Sequence, residues 1–453
     1  MHIIDKIDRI HFIGIGGISM SALAKLMCAL GKKVSGSDAN YSPALVELTE
    51  CGIDAYIGSD PKKLEDAGLV VYSSAVPRDD AELSCAYSLN IPAAERFVFL
   101  GEVASYYDKC IAVAGTHGKT TVTAMIAHLL KRAGKSFTAH IGGYAKEGIG
   151  NMYIAGREYF LTEACEYKKS LLSLSPYMSI VLNAEYDHPD TYRDLAEVHE
   201  TFNAFLNKTK PQGKKIVCGD CDYYRKNLIG RSDIITYGLE EKNLFRASEI
   251  KEYKKGYFSF KVSYDNREIF EIFLNIIGEF NIYNALAAAA AARILGIEKA
   301  VIEETLSGFC GVKRRFQKMG QVNGGDVYID YAHHPREIEA VLAAAEKIKK
   351  ARTLIVFQPH TYSRTSSLIN EFVECFKHYD ELYIVKSYSS REQPEQGMTA
   401  LDLYRHTAHK GNVQYFDNIV ELAKYLSCSV RKDDQVLILG AGDIDCLAEL
   451  IID

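Results

Sequence analysis

The chain has 453 residues with 53 Lys and Arg against 59 Asp and Glu, and this net charge of -6 gives no electrostatic reason to expect nucleic acid as a partner. Its length exceeds one ordinary core and suggests about three domains of a soluble globular protein. No apolar run reaches the ~20 residues of a membrane span, and the opening residues Met1 to Lys6 lack the apolar core of a secretory signal. A cytoplasmic protein without membrane insertion is therefore expected.

The first segment alternates short apolar strands with helices. Strands are predicted from Ile10 to Ile15, Lys33 to Gly36 and Leu69 to Ser74, with helices from about Ser19 to Leu30 and near Glu95. Such alternation predicts a parallel sheet with helices on both faces. Gly14-Ile15-Gly16-Gly17-Ile18-Ser19 follows the first strand and Asp38 ends the second, an imperfect imitation of a dinucleotide fingerprint with Ser19 where Gly or Ala is usual. The same glycines also serve simply to pack a helix against a strand.

A second alternation opens at Cys110 with an apolar strand that turns through Gly115-Thr116-His117-Gly118 into a helix beginning Lys119-Thr120-Thr121. Glycines admit backbone N–H groups to phosphate oxygens, and the helix N-terminus adds a favourable dipole. Lys119 can reach the terminal phosphates and Thr120 can offer its hydroxyl to Mg²⁺. Only the second half of the general pattern is met, because Val113 stands where its first Gly belongs. Strands near Tyr159 to Thr162 and Met178 to Leu182 follow, then a helix from about Asp194 to Leu206. Glu163 closes the first of these strands, and Glu185, Asp187 and His188 close the second, where catalytic groups collect in such sheets.

Cys218-Gly219-Asp220-Cys221 is the one tempting pair among 11 scattered cysteines. No second pair or His cluster completes a zinc set, so the strand-end turn is the reading. Between Ile234 and Ile276 short strands with Gly and Asn turns predict an antiparallel meander attached to the central sheet. An Ala-rich helix runs on to Leu295. From about Gly311 a third alternation begins, with strands Val327 to Tyr331, Thr353 to Phe357, Glu381 to Val385 and Gln435 to Leu439. The whole reads as three nucleotide-type α/β units in series.

These motifs together resemble the ATP-dependent Mur ligases, on Gly14-x-Gly16-Gly17-Ile18 with Ser37-Asp38, Gly115 to Thr121, Glu163, Asp187-His188, Asn281-x-x-Asn284, Arg314-Arg315-Phe316, Asp330 to Pro335 and Gln358 to Arg364. The resemblance implies an α/β fold of three domains. They are an N-terminal Rossmann-like domain for a UDP-sugar (1–104), a central P-loop ATPase with a small antiparallel sheet (105–310), and a C-terminal Rossmann-like domain (311–453). The last would close on ATP and bring in the amino acid.

By the same resemblance, Gly14, Gly16, Gly17, Ile18, Ser37, Asp38, Ser73, Ser74 and Glu95 would line the UDP-sugar site. Gly115, Thr116, His117, Gly118, Lys119, Thr120 and Thr121 would hold ATP phosphates, Asn281 and Asn284 adenine, Arg315 the terminal phosphate and Asp330 the ribose. Thr120 and Glu163 would bind one Mg²⁺ and His188 a second, with Mn²⁺ an acceptable substitute. Tyr331, His333, His360 and Arg364 would face the amino acid. Lys119, His188, Arg315, His333 and His360 form the expected catalytic set, the last two histidines as candidate bases.

The implied reaction joins L-alanine to UDP-N-acetylmuramate through an acyl phosphate, in a monomer or weak homodimer. Phe280 stands where these ligases usually have His, Thr361 where many alanine-adding members have Arg, and Pro189 where an apolar residue is usual. The stretch 190–207 holds no Lys, which fits the alanine-adding branch. Competing readings are a ligase that adds a recycled tripeptide to the same sugar nucleotide, a folylpolyglutamate-type ligase, a nicotinamide-dependent oxidoreductase and a non-catalytic nucleotide-binding regulator.

Overall fold

Three sheets form the backbone of the molecule, which is described by a computed structural model over residues 2–227, 231–265, 267–377, 379–389, 392–408 and 411–452. The first has five parallel strands in the order Asp54–Ile57, Lys33–Asp38, Arg9–Ile13, Leu69–Tyr72, Ala93–Glu95. Its central strand Arg9–Ile13 is buried after its first residue. That is why it reads as a continuous apolar run rather than an alternating one. Helix Ile18–Ala29 starts directly after the glycine turn and lies against strands Phe137–Ala145 and Gly150–Ile154 of the second sheet.

The second sheet has ten strands, in the order Arg267–Phe273, Tyr257–Tyr264, Phe245–Lys254, Ile234–Gly238, Lys214–Cys218, Met178–Val181, Lys109–Ala114, Tyr159–Ala164, Phe137–Ala145, Gly150–Ile154. The expected meander is antiparallel, yet it continues the parallel part without a break, because Ile234–Gly238 pairs parallel with Phe245–Lys254. Helix Lys119–Arg132 packs on helix Phe280–Ile294, in which Ala285 and Ala287 to Ala292 are all buried. Side chains this small let the two helix axes approach closely and keep the nucleotide motif and Asn284 in register.

The third sheet runs Gln317–Val322, Gly325–Asp330, Gln435–Leu439, Thr353–Phe357, Glu381–Val385, Val413–Phe416, with only the first pair antiparallel. The carboxyl ends of Gly325–Asp330 and Thr353–Phe357 are turned toward the carboxyl ends of Lys109–Ala114 and Met178–Val181, as the polar contacts described below show. Ligands of open parallel sheets bind at such ends. Among the described residues no helix is long and apolar enough to cross a membrane.

Candidate active site

Gly118 is the N-cap of helix Lys119–Arg132 and has φ +85°, a left-handed conformation that strains any residue with a Cβ. A Cβ there would also stand 2.6 Å from Asn284 Oδ1. Asn284 in turn donates to Asn281 Oδ1 at 2.9 Å, and Asn281 donates to Ile277 O at 2.9 Å. The phosphate loop and the two asparagines are thus one packed unit. The side-chain amide of Asn183, just beyond strand Met178–Val181, pins the His117 backbone from the other side: its Oδ1 accepts from His117 N at 2.8 Å and its Nδ2 donates to His117 O at 3.1 Å.

Lys119 lies back over the loop, donating to Thr116 O at 3.1 Å and pairing with Glu166 Oε2 at 2.8 Å. Burial works against its charge, but Glu166 outweighs burial and raises its pKa. Thr120 Oγ1 donates to Glu163 Oε2 at 3.1 Å, while Glu163 Oε1 accepts from Gly142 N at 2.7 Å. Burial pushes the Glu163 carboxyl up from its ordinary range. A second group gathers beside it, where one ligand atom each of Glu166, Asp187 and His188 lie within 4.8 Å of one another. His188 holds φ +56°, an uncommon and strained backbone for a non-glycine residue. Hydroxyl, carboxylate and imidazole donors at a phosphate loop suit a hard divalent cation that keeps several phosphate and water ligands.

Among the described residues, polar contacts from the loops and helices of the third sheet reach this constellation. His117 Nδ1 stands 3.0 Å from Glu337 Oε1 and its Nε2 stands 3.2 Å from Glu185 Oε2. Although burial disfavours the imidazolium, the two carboxylates prevail and push the His117 pKa up to about 9. Arg336 pairs with Glu185 at 2.7 Å, and His334 Nε2 lies 3.3 Å from Tyr186 O. Arg364 Nε donates to Asp187 Oδ1 at 3.0 Å, with side chains only 5% and 7% exposed. Burial opposes the Asp187 charge, and Arg364 overcomes it, holding the carboxyl well below its usual range.

Asp330 is buried and accepts from Phe316 N and Ala332 N, each at 2.7 Å, so it ties the segment carrying Arg314 and Arg315 to the end of strand Gly325–Asp330. Burial lifts its pKa to about 6. The guanidinium of Arg315 sits 5.2 Å from the Tyr331 ring, and that of Arg314 5.0 Å, while Arg314 also donates to Gly440 O and Gly442 O. His333 Nδ1 is 3.0 Å from Tyr331 O, and burial pulls its pKa down to about 4. The rings of His333 and His360 are 5.6 Å apart. Of the residues expected to face the amino acid, Tyr331, His333 and His360 cluster together. Arg364 is committed to Asp187 and His360, to whose Nδ1 its Nη1 stands at 3.2 Å.

A cleft of about 1270 Å³ lies between the phosphate loop, the two asparagines and the third sheet, and is lined by His117, Gly118, Thr121, Asn281, Asn284, Arg315 and Asp330. It exceeds the ~300–1,000 Å³ of an ordinary small-ligand pocket. Gly115 and Thr116 in the loop, and Lys119 and Thr120 in the first turn of the helix, are chain neighbours of the lining residues His117, Gly118 and Thr121. Cys218 and Cys221 also line it, as free thiols.

The residues expected at a UDP-sugar gather around the first glycine turn. Gly14 N donates to Ser37 O at 2.8 Å, Gly16 N to Asp38 Oδ2 at 2.9 Å, and Gly17 N to Gly14 O at 3.3 Å. A Cβ on Gly14 would stand 3.1 Å from Ser73 Cβ. Ile18 O accepts from Asn151 of the second sheet at 2.9 Å. Glu95 pairs with Lys168 at 3.6 Å, and Ser74 follows Ser73 on the same partly exposed turn. Ser37 differs from the rest, because its hydroxyl is buried and donates to the buried carboxylate of Glu82, which also accepts from Tyr56 OH at 2.7 Å.

Three residues of the site were given no role by the sequence. Glu166 sits beside a recognised motif, but a carboxylate there looks like ordinary loop polarity. Asn183 resembles any strand-end asparagine. Glu337 occupies the first turn of helix Pro335–Ile348, where acidic residues are common for dipole reasons alone.

Three family models match the chain: "Mur ligase family, catalytic domain" over residues 9–108, "Mur ligase middle domain" over 113–292 and "Mur ligase, glutamate ligase domain" over 314–442. A UDP-N-acetylmuramate–L-alanine ligase of Alkaliphilus metalliredigens is 38% identical over 455 residues, covering 99% of this chain and 97% of its own. Among solved structures, the UDP-N-acetylmuramate–alanine ligase of Thermotoga maritima superposes with a TM-score of 0.82 at 26% identity, covering 97% of each chain. A murein peptide ligase of Psychrobacter arcticus shares the fold, with a TM-score of 0.78 at 24% identity over 98% of each chain.

Proposed function

We infer the reaction from the family to which this chain belongs, the Mur ligases. It is an ATP-dependent ligase that joins L-alanine to the lactyl carboxylate of UDP-N-acetylmuramate in peptidoglycan precursor synthesis. Its full-length relatedness to alanine-adding ligases is the observation that carries this reading.

A carboxylate is a poor acyl donor. A lactyl oxygen attacks the γ-phosphorus of ATP, the bond to the β-phosphate oxygen breaks, and ADP leaves with that electron pair. The amine of L-alanine then attacks the acyl carbon, inorganic phosphate departs, and the amine proton passes to a base. Two anions must be brought together in the first step, so fixed positive charge aimed at the developing phosphoryl charge is the main requirement. Lys119 supplies one such charge once phosphate oxygens replace its contact with Thr116 O. Arg315 supplies another, being free of any ion pair among the described residues and lining the cleft.

Thr120 with Glu163 would hold one Mg²⁺, and His188 with Glu166 and Asp187 a second. When bound, such ions neutralise phosphate charge and orient the reacting oxygens. Asn281 and Asn284 offer amide donors and acceptors to adenine, and Asp330 faces the cleft as a ribose acceptor. His333 is neutral at pH 7 because of its burial. It is therefore able to accept the amine proton, with Tyr331 and His360 completing that corner. The glycine turn from Gly14 to Ile18, with Asp38 and Ser73, would take the UDP moiety.

Hydroxylamine trapping tests the intermediate. With ATP, Mg²⁺ and UDP-N-acetylmuramate but no amino acid, the sugar hydroxamate should accumulate together with ADP. ADP release that ignores the sugar nucleotide would overturn the acyl-phosphate route.

A further inference from the structure

Among the described residues, Glu337 is the one carboxylate that touches both the phosphate loop and the candidate base, although it and the loop belong to different sheet units. Its Oε1 stands 3.0 Å from His117 Nδ1, while its Oε2 accepts from His333 N at 3.2 Å and stands 3.3 Å from His333 Nδ1. The His117 ring cannot drift away from it, because backbone contacts to Asn183 and the Glu185 carboxylate hold it from the other side. His333 Nδ1 also faces Tyr331 O at 3.0 Å, a partner that can only accept. Nδ1 therefore carries the proton and Nε2 keeps its lone pair.

We propose that Glu337 is a positioning residue that couples docking of the third sheet on the phosphate loop to the proton-accepting state of His333. The proposal rests on the alanine-ligase reading above. An unmatched carboxylate 3.3 Å from His333 would favour the imidazolium, which cannot accept a proton. Docking brings the His117 imidazole against that carboxylate and meets its charge, leaving His333 neutral. Burial of His333 and the raised pKa of His117 agree with this division of charge. The other charged or titratable groups facing the cluster include Glu185 on His117, Arg315, Asp330 and His334 on Glu337, and the Asp187 and Arg364 pair on His333. That pair is mutually neutralising and Glu185 is matched by Arg336, while His117 is the cation in direct contact with Glu337 from the other sheet.

The Arg364–Asp187 and Arg336–Glu185 contacts remain when Glu337 is changed, so docking and the first chemical step should survive. The test is a double-mutant cycle with His117→Gln and Glu337→Gln, read in two assays. Each single change should lower the kcat of L-alanine-dependent amide formation about tenfold, and the double change should cost no more than either alone, since residues acting as a unit are non-additive. Hydroxamate formation from UDP-N-acetylmuramate should stay within about threefold of the unmodified enzyme in Glu337→Gln, the member of the pair that lies outside the phosphate loop. Glu337→Asp, which keeps the charge but is too short to serve both histidines, should recover only part of the loss and guards against a variant that fails to fold. Multiplicative losses in amide formation, equal losses in both assays for Glu337→Gln, or unchanged amide formation would each overturn the proposal. An unmodified enzyme that traps no hydroxamate would instead overturn the underlying ligase reading.

Discussion

Removing the Asp187 carboxylate should loosen the attachment of the third sheet to the second by a predictable amount. The Arg364–Asp187 pair is 3.0 Å long, with side chains 5% and 7% exposed. At an effective dielectric near 20, such a contact is worth about 5 kcal/mol of Coulomb energy, and desolvation of both ions consumes most of it. Deleting one partner leaves the other charge buried and unmatched, at a cost of about 3–5 kcal/mol. Asp187→Ala should therefore raise the population of open molecules by roughly two to three and a half decades. Native-state hydrogen exchange on helix Tyr362–Ser367 and the Thr191 and Tyr192 amides, which donate to His188 O, reads that population directly. The double change Asp187→Leu with Arg364→Met removes both charges and should recover at least a decade of protection. The carboxyl is held well below its ordinary value, so its contribution is present above about pH 4 and is lost only as pH falls through the depressed folded value. Equal protection in the single and double variants, or no change in either, would refute the claim that this pair holds the two units together.

Gly118→Ala should raise the dissociation constant for a non-hydrolysable ATP analogue about tenfold, since the αL conformation costs ~1–2 kcal/mol and Asn284 must also move. Calorimetric titration checks this, and unchanged affinity would contradict the packing of Asn284 on the loop. His140 is buried between Ser19 Oγ and Thr162 Oγ1, and burial pulls its pKa down to about 3. Its preference for the neutral form stabilises the fold above about pH 6.5 and fades as pH falls toward 3. Urea unfolding between pH 7 and pH 5 should therefore cost the unmodified chain up to about 2 kcal/mol more than His140→Gln. His333 is held neutral down to about pH 4, so a loss of amide formation centred near the ordinary imidazole value and removed by His333→Gln would contradict its assigned state.

The parallel strands were legible wherever both faces are buried, because a continuous apolar run bounded by glycine has few other readings. Thr353–Phe357, Glu381–Val385 and Gln435–Leu439 begin and end where the pattern says. Strand Phe137–Ala145 was not, since His140, Gly142 and Gly143 break its apolar pattern; there polar atoms are satisfied by Ser19, Thr162 and Glu163 from distant chain segments. The phosphate loop was legible because its chemistry is local. Glu337 and Glu166 were not, because their meaning comes from partners 220 and 47 residues away, His117 and Lys119. Arg364 illustrates the same limit: its motif marks it as a cation near the substrate, whereas its buried partner Asp187 lies 177 residues distant.

Phosphate release from ATP and Mg²⁺ with UDP-N-acetylmuramate, against L-alanine, glycine, L-serine and a recycled murein tripeptide in turn, tests the central claim most directly. Release that requires both the sugar nucleotide and L-alanine, with the tripeptide inert, is the predicted result. Release with the tripeptide in place of L-alanine, or with no acceptor at all, would contradict it.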